Sequence, residues 1–278
     1  MRAWLPCLME IGKNGDGRGN AIPFRLLKTK KLTLIMTNFI WNSYGLTHTG
    51  KKRKINQDAF LNLPNKKLWV VADGMGGHKA GEVASASIIN SLNSLIPEQT
   101  IGSTVKKIYY KLRKVNQSLL DLAAEGGDNE VIGSTVVILL ACNQYCVYLW
   151  SGDSRIYLFR KEELKQLSHD HNNENRLLAE GFSIKEIQTH PFAQSLTHAI
   201  GGEKKLYLEA QIQEIRDGDI FLLCSDGLNK EVCDREIESI LKKASIEESL
   251  TQLIELALER GAQDNITIIL AQASIIKE

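Results

Sequence analysis

The chain is poor in cysteine, and the few it has do not pair. Five lie at 7, 142, 146, 224 and 233, an odd number with no CxxC spacing. That pattern excludes a disulfide framework and a thiolate zinc site, and it fits a reducing cytoplasm. Cys142 and Cys146 sit inside apolar runs and are expected in the core. An excess of charge of one sign is also missing. Thirty-four Lys and Arg face 33 Asp and Glu, for a net charge of +1. No basic field is available to recruit nucleic acid or an anionic membrane. No apolar stretch reaches the roughly 18 residues of a membrane span. "LTLIM" follows Lys28, Lys30 and Lys31 but is too short for a signal peptide, and no small-residue cleavage site follows it. What remains is ordinary soluble composition, 43% hydrophobic and 24% charged over 278 residues. Such a chain can bury a substantial core in one large domain or two small ones.

Residues 1–37 read as a disordered or loosely packed extension, with the polar run "GKNGDGRGN" at their centre. Met36 is an alternative start of translation. Residues 38–276 read as one domain. "AFLNL" and "LWVVAD" are expected as short buried strands. Residues 79–96 place Val83, Ala84, Ile88, Leu92, Leu95 and Ile96 at helical spacing. Residues 103–123 do the same with Val105, Ile108, Leu112, Val115, Leu119 and Leu122. "STVVILLA", "YCVYLWSG" and "RIYLFR" follow as strands whose short links predict hairpins. Helix and loop are expected over 172–190. Strands at 206–215 and 219–224 should turn on "RDGD". "IEESLTQLIELALERG" is a capped helix closed by Gly261, and "NITIILAQA" is a last strand. Strand groups separated by helix pairs imply an α+β fold of stacked antiparallel sheets covered by helices.

Four aspartates share one context, the junction of an apolar strand and a polar or glycine turn. They are Asp58 in "RKINQDAF", Asp73 in "VVADGMGGHKAGE", Asp226 in "FLLCSDGL" and Asp264 in "GAQDNITI". Singly, each is a plain turn residue. Together they can converge on one rim of a sheet. Two carboxylates 4 Å apart repel by about 4 kcal/mol at an effective dielectric near 20. A converged set must therefore protonate or hold cations. Oxygen ligands favour Mg²⁺ or Mn²⁺ over zinc, and the glycine after Asp73 leaves its carbonyl open to a metal. The glycines do not space as a dinucleotide loop, no GK[ST] follows, and the acid precedes them where a phosphate would be repelled.

In this order, "RKINQDAF", "VVADGMGGHKAGE", "GSTVVILL", "SGDSRIYLF", "LLCSDGL" and "QDNITIIL" resemble the metal-dependent serine/threonine phosphatases of the PPM, or type 2C, family. The resemblance covers about residues 40–275 and is nearest to the bacterial branch. It implies a central antiparallel β-sandwich flanked by helix pairs, a four-layer αββα stack, with two Mn²⁺ or Mg²⁺ ions at one end. By this resemblance Asp73 bridges both metals, the Gly74 carbonyl binds the first, and Asp226 and Asp264 bind the second. Asp58 acts beside them through bound water. Arg53 holds the substrate phosphate, which its planar fork suits. Asn265 orients its turn. Three departures stand out. Gln57 replaces a common glutamate. Met75 replaces a histidine proposed as general acid, which leaves His78 as the nearby candidate. Val131 and Ile132 occupy the place of an aspartate that holds a third metal in some bacterial members, so such an ion would draw on Asp128, Glu130 and Asp170. Asp153 and Arg155 of "SGDSR" are expected to tie strands together. His169 and His171 precede a segment, about 172–200, resembling the family's mobile flap. His48, His190 and His198 are expected as surface or packing residues.

The resemblance implies hydrolysis of phosphoserine and phosphothreonine on proteins, with a Ser/Thr kinase as the source of substrate, by a monomer in the cytoplasm. Two other classes fit the same motifs: a non-catalytic phosphoprotein-binding regulator and a small-molecule phosphatase.

Overall fold

The computed structural model describes residues 39–76, 80–126, 131–190, 192–193 and 195–275. The expected extension and the Met36 start lie outside them. One sheet has the order β1 (Phe39–His48), β11 (Ile266–Ile275), β10 (Ile220–Cys224), β7 (Arg155–Arg160), β8 (Glu163–Gln166). The other has the order β2 (Asp58–Leu63), β3 (Leu68–Met75), β5 (Val136–Cys142), β6 (Tyr145–Ser151), β9 (Glu209–Glu214), with the short β4 (Gly133–Ser134) beside β3. Every pairing is antiparallel.

Side-chain alternation builds four layers. In β3, Trp69 and Val71 point between the sheets, where they join Trp150, Phe221 and Ile269. Leu68, Val70 and Ala72 point the other way, under α1 (Ala80–Asn93) and α2 (Ile101–Gly126). Both faces are covered, so the strand reads as a continuous apolar run rather than an alternating one. The α1 face is Ala84, Ile88 and Leu92; the α2 face is Val105, Ile108, Leu112, Val115 and Leu119. These are helical spacings of three and four. On the far side, Leu222, Ile268 and Leu270 pack under α6 (Asp234–Lys243) and α7 (Ile246–Glu259). A capping box of Ser245 and Glu248 opens α7, and Gly261, at φ +121°, follows its end.

The expected sandwich is therefore present, but three details differ. Val83, Ile96 and Leu122 are exposed, because α1 stops at Asn93 and the other two lie off the buried faces. Cys146 is buried, whereas Cys142 is half-buried where β5 turns into β6. Above all, of the three strands expected as successive hairpins only β5 and β6 form one. β6 and β7 belong to different sheets, as do β9 and β10. A three-residue link reaches about 10 Å, which is also the spacing of packed sheets. Length alone cannot separate a hairpin from a step between sheets. The step at 152–154 has a consequence at the site.

Candidate metal centre

Each sheet delivers acids to the same end of the sandwich. Asp58 opens β2 and Asp73 lies directly opposite it in β3. Asp226 begins α5 (Asp226–Asn229), two residues after β10. Asp264 sits two residues before β11. Asp58 Oδ2 accepts hydrogen bonds from Ser225 Oγ and Thr267 Oγ1, both at 2.7 Å, so a carboxylate of one sheet is held by hydroxyls of the other. The structure thus brings together Asp58, Asp73, Gly74, Asp226, Asp264 and Arg53.

It also adds Asp153. Asp153 and Arg155, both expected to tie strands together, have separate partners. Arg155 grips Asp170, with Nη2 to Oδ2 at 2.7 Å and Nε to Oδ1 at 3.0 Å. Asp153 rides the 152–154 step into the acidic pocket and is 8% exposed. Its context, apolar strand then Gly then Asp, is the one that marked the other acids. Asp170 lies near Asp153 but has both oxygens on Arg155, and Gln166 adds a bond at 3.1 Å. Asp128, Glu130 and His78 lie outside the described residues. Met75 packs against Gly133, its partner in β4.

The pocket strains against its own charge. Burial, then repulsion from Asp226, pushes Asp153 up to about 7. Burial raises Asp58 to about 6 against the pull of its two hydroxyl donors. Asp73 rises well above the usual range through burial and the charges of Asp58 and Asp226. Asp226 is raised by burial, with Lys230 opposing. Lys230, one turn along, ion-pairs with Asp226 and stands 3.8 Å from Asp264. Arg53 forks onto Asp264 at 2.8 and 2.9 Å from the exposed rim.

The residues fit divalent cations. Asp58 Oδ1 and Asp226 Oδ1 are buried without a hydrogen-bond partner. Such orphaned acceptors are costly unless a cation satisfies them. The donors are all oxygens, as hard cations require. A Cβ on Gly74 would come within 2.0 Å of the Gly81 carbonyl, so only glycine lets the end of β3 approach the start of α1.

Asn265 holds the rim. Its Oδ1 accepts from the Gln57 amide at 2.8 Å, and its Nδ2 donates to the carbonyls of Thr49 at 2.8 Å and Ile55 at 3.1 Å. It therefore pins both ends of the loop that carries Arg53. Asn265→Ala strands these groups and is expected to destabilise the protein by about 2–4 kcal/mol. Chemical denaturation measures this; a loss below about 0.5 kcal/mol rejects the pinning role.

A family model described as protein phosphatase 2C matches residues 45–271. The serine/threonine phosphatase stp of Listeria welshimeri is 35% identical over 241 residues, covering 84% of this chain and 96% of its own. The structure of PppA, a key regulatory component of T6SS in Pseudomonas aeruginosa, superposes with a TM-score of 0.78 at 36% identity, covering 85% of this chain and 100% of that one. The catalytic domain of the serine/threonine protein phosphatase PstP, in complex with two manganese ions, gives 0.75 at 32% identity over 85% of this chain and 100% of that one. A two-sheet sandwich ending in an oxygen-only acidic pocket, with an arginine fork on its rim, defines a metal-dependent phosphoester hydrolase. The chain belongs to the protein phosphatase 2C family, in its bacterial branch, and is a protein phosphatase with a two-metal site.

Proposed function

We propose that this pocket hydrolyses phosphoserine and phosphothreonine on proteins, with Asp73, the Gly74 carbonyl, Asp226 and Asp264 as metal ligands. Asp153 completes the acidic set. The observation that carries this reading is five aspartates from two sheets meeting with unpartnered buried oxygens beneath one arginine. Mn²⁺ and Mg²⁺ both suit the donors. When bound, such ions supply positive charge at the phosphoryl oxygens and a water acidic enough to attack near neutral pH.

The chain's residues do the rest. Arg53 turns its fork from Asp264 to two phosphoryl oxygens and orients the phosphorus for in-line attack. Asp58, with Oδ2 held by Ser225 and Thr267, keeps Oδ1 free to accept a proton from the attacking water. Lys230, which neutralises Asp226 in this structure, would give way to a cation held there. A phosphopeptide would lie beside α3 (Glu174–Ala179) and α4 (Ile184–Thr189), which fold around Leu177, Ile187 and Ala193; they follow His171, whose amide donates to the Gly152 carbonyl next to Asp153. Among the described residues no helix is long and apolar enough to cross a membrane. The enzyme acts as a monomer opposite a Ser/Thr kinase.

The test is turnover of p-nitrophenyl phosphate and of a phosphothreonine peptide with and without Mn²⁺. Metal-independent turnover, or none on the peptide, rejects the proposal. Arg53→Lys keeps the charge but loses one arm of the fork, about 2 kcal/mol for a charged hydrogen bond. Its kcat/KM on the peptide is expected to fall roughly 10- to 100-fold; an unchanged value removes Arg53 from phosphate binding.

A further inference from the structure

At the β9 edge of the sandwich, two histidines meet one carboxylate. His169 Nε2 lies 3.1 Å and His171 Nε2 3.2 Å from the same oxygen, Glu209 Oε1. Among the described residues this trio has its ligand-type atoms within 4.8 Å of one another. The frame around it is fixed. Glu209 pairs with Trp150 across β6 and β9, and Trp150 Nε1 donates to the His169 carbonyl at 2.9 Å. Tyr207 Oη donates to Glu209 Oε1 at 2.8 Å, and the His198 ring stacks on Tyr207 with centroids 3.9 Å apart. His171 is buried, whereas His169 is half open to solvent and leaves a path of entry.

We propose that His169, His171 and Glu209 form a transition-metal site of the zinc type, separate from the acidic pocket. Two imidazole nitrogens and a carboxylate are a donor set for zinc and its neighbours, not for Mg²⁺. The solvent side of His169 leaves the fourth position to water. Tyr207 orients the carboxylate from behind, as partners of metal ligands commonly do.

One contact opposes binding. The Gly152 amide donates to His171 Nδ1 at 3.2 Å, which puts the neutral imidazole's proton on Nε2. Ligation through Nε2 moves that proton to Nδ1 and breaks the bond. The Gly152 N–H and the new Nδ1–H then face each other as unsatisfied donors, which weakens binding by about 10- to 100-fold. Ligation by nitrogen and oxygen donors gains many orders of magnitude, so the metal wins.

The experiment is titration of the full chain with cobalt(II) in excess Mg²⁺, read by visible absorption. One equivalent with the intense bands of a four-coordinate nitrogen site is expected, retained in Asp73→Asn. His169→Ala removes an exposed ligand without opening the core, and circular dichroism checks its fold. It is expected to lower cobalt affinity at least about 100-fold. Unchanged cobalt binding in His169→Ala, loss of the bands in Asp73→Asn, or no such bands in the wild type overturns the proposal. The readout needs no turnover, so it stands or falls apart from the phosphatase reading.

Discussion

Asp73→Asn is expected to lower kcat on a phosphothreonine peptide by at least ~10³-fold while leaving the protein folded. Asp73 is the half-buried acid that faces Asp58 and feels Asp226, Asp153 and Asp264 at once. An amide in its place keeps the size and loses the charge proposed to hold a cation. Losing that cation removes several kcal/mol of transition-state stabilisation, and about 4 kcal/mol is already ~10³-fold. In chelator the same variant should melt at a higher temperature than the wild type, because one repelling carboxylate has gone. Activity and stability move in opposite directions, which a merely structural residue would not produce. Turnover within tenfold of wild type removes Asp73 from the centre.

The second large effect is linkage between pH, metal and stability. Asp58 stands near 6 and Asp153 near 7, against an ordinary 3.8. Between about pH 4 and 7 the folded protein thus holds protons that the unfolded chain has released. In chelator, stability falls as pH rises through that window. The shifts correspond to about 3 kcal/mol for Asp58 and about 4 kcal/mol for Asp153, and coupling makes them less than additive. Divalent ions bind the ionised carboxylates and reverse the loss. The rise in Tm on adding Mn²⁺ should be larger at pH 7.5 than at pH 5.5. Comparing wild type with Asp153→Asn cancels unrelated titrations: the variant should lose part of the pH slope in chelator. An unchanged slope rejects the account.

Four of the five acids were legible in the sequence because each ends or opens an apolar strand beside a turn. Asp153 sits in a like context, but the sequence reads it with Arg155 as a residue that ties strands together. The chain steps between sheets there, and that step turns the two side chains apart. The same ambiguity hid the partners of β7 and β10. Local pattern encodes that a strand exists and which residues alternate, but it does not encode which neighbour a short link reaches. The capped helix α7 and the buried faces of α1 and α2 were legible for the opposite reason, since their signals are local. Lys230 carried a weak sign, four residues after Asp226. The histidine trio carried none beyond its own residues, because Glu209 is 38 residues from His171 and only the β6–β9 pairing brings them together.

β1 pairs with β11 along ten residues, from Phe39 opposite Ile275 to His48 opposite Ile266. The loop with Arg53 leaves one end of this ladder, and Asp264 enters at the same end. During synthesis on a ribosome, β1 emerges early and must wait for almost the whole domain before its partner appears. Such a distant closure is slow and comes late in folding. Arg53 and Asp264 meet only when that ladder zips, so a nascent or truncated chain has no completed centre with which to act on phosphoproteins.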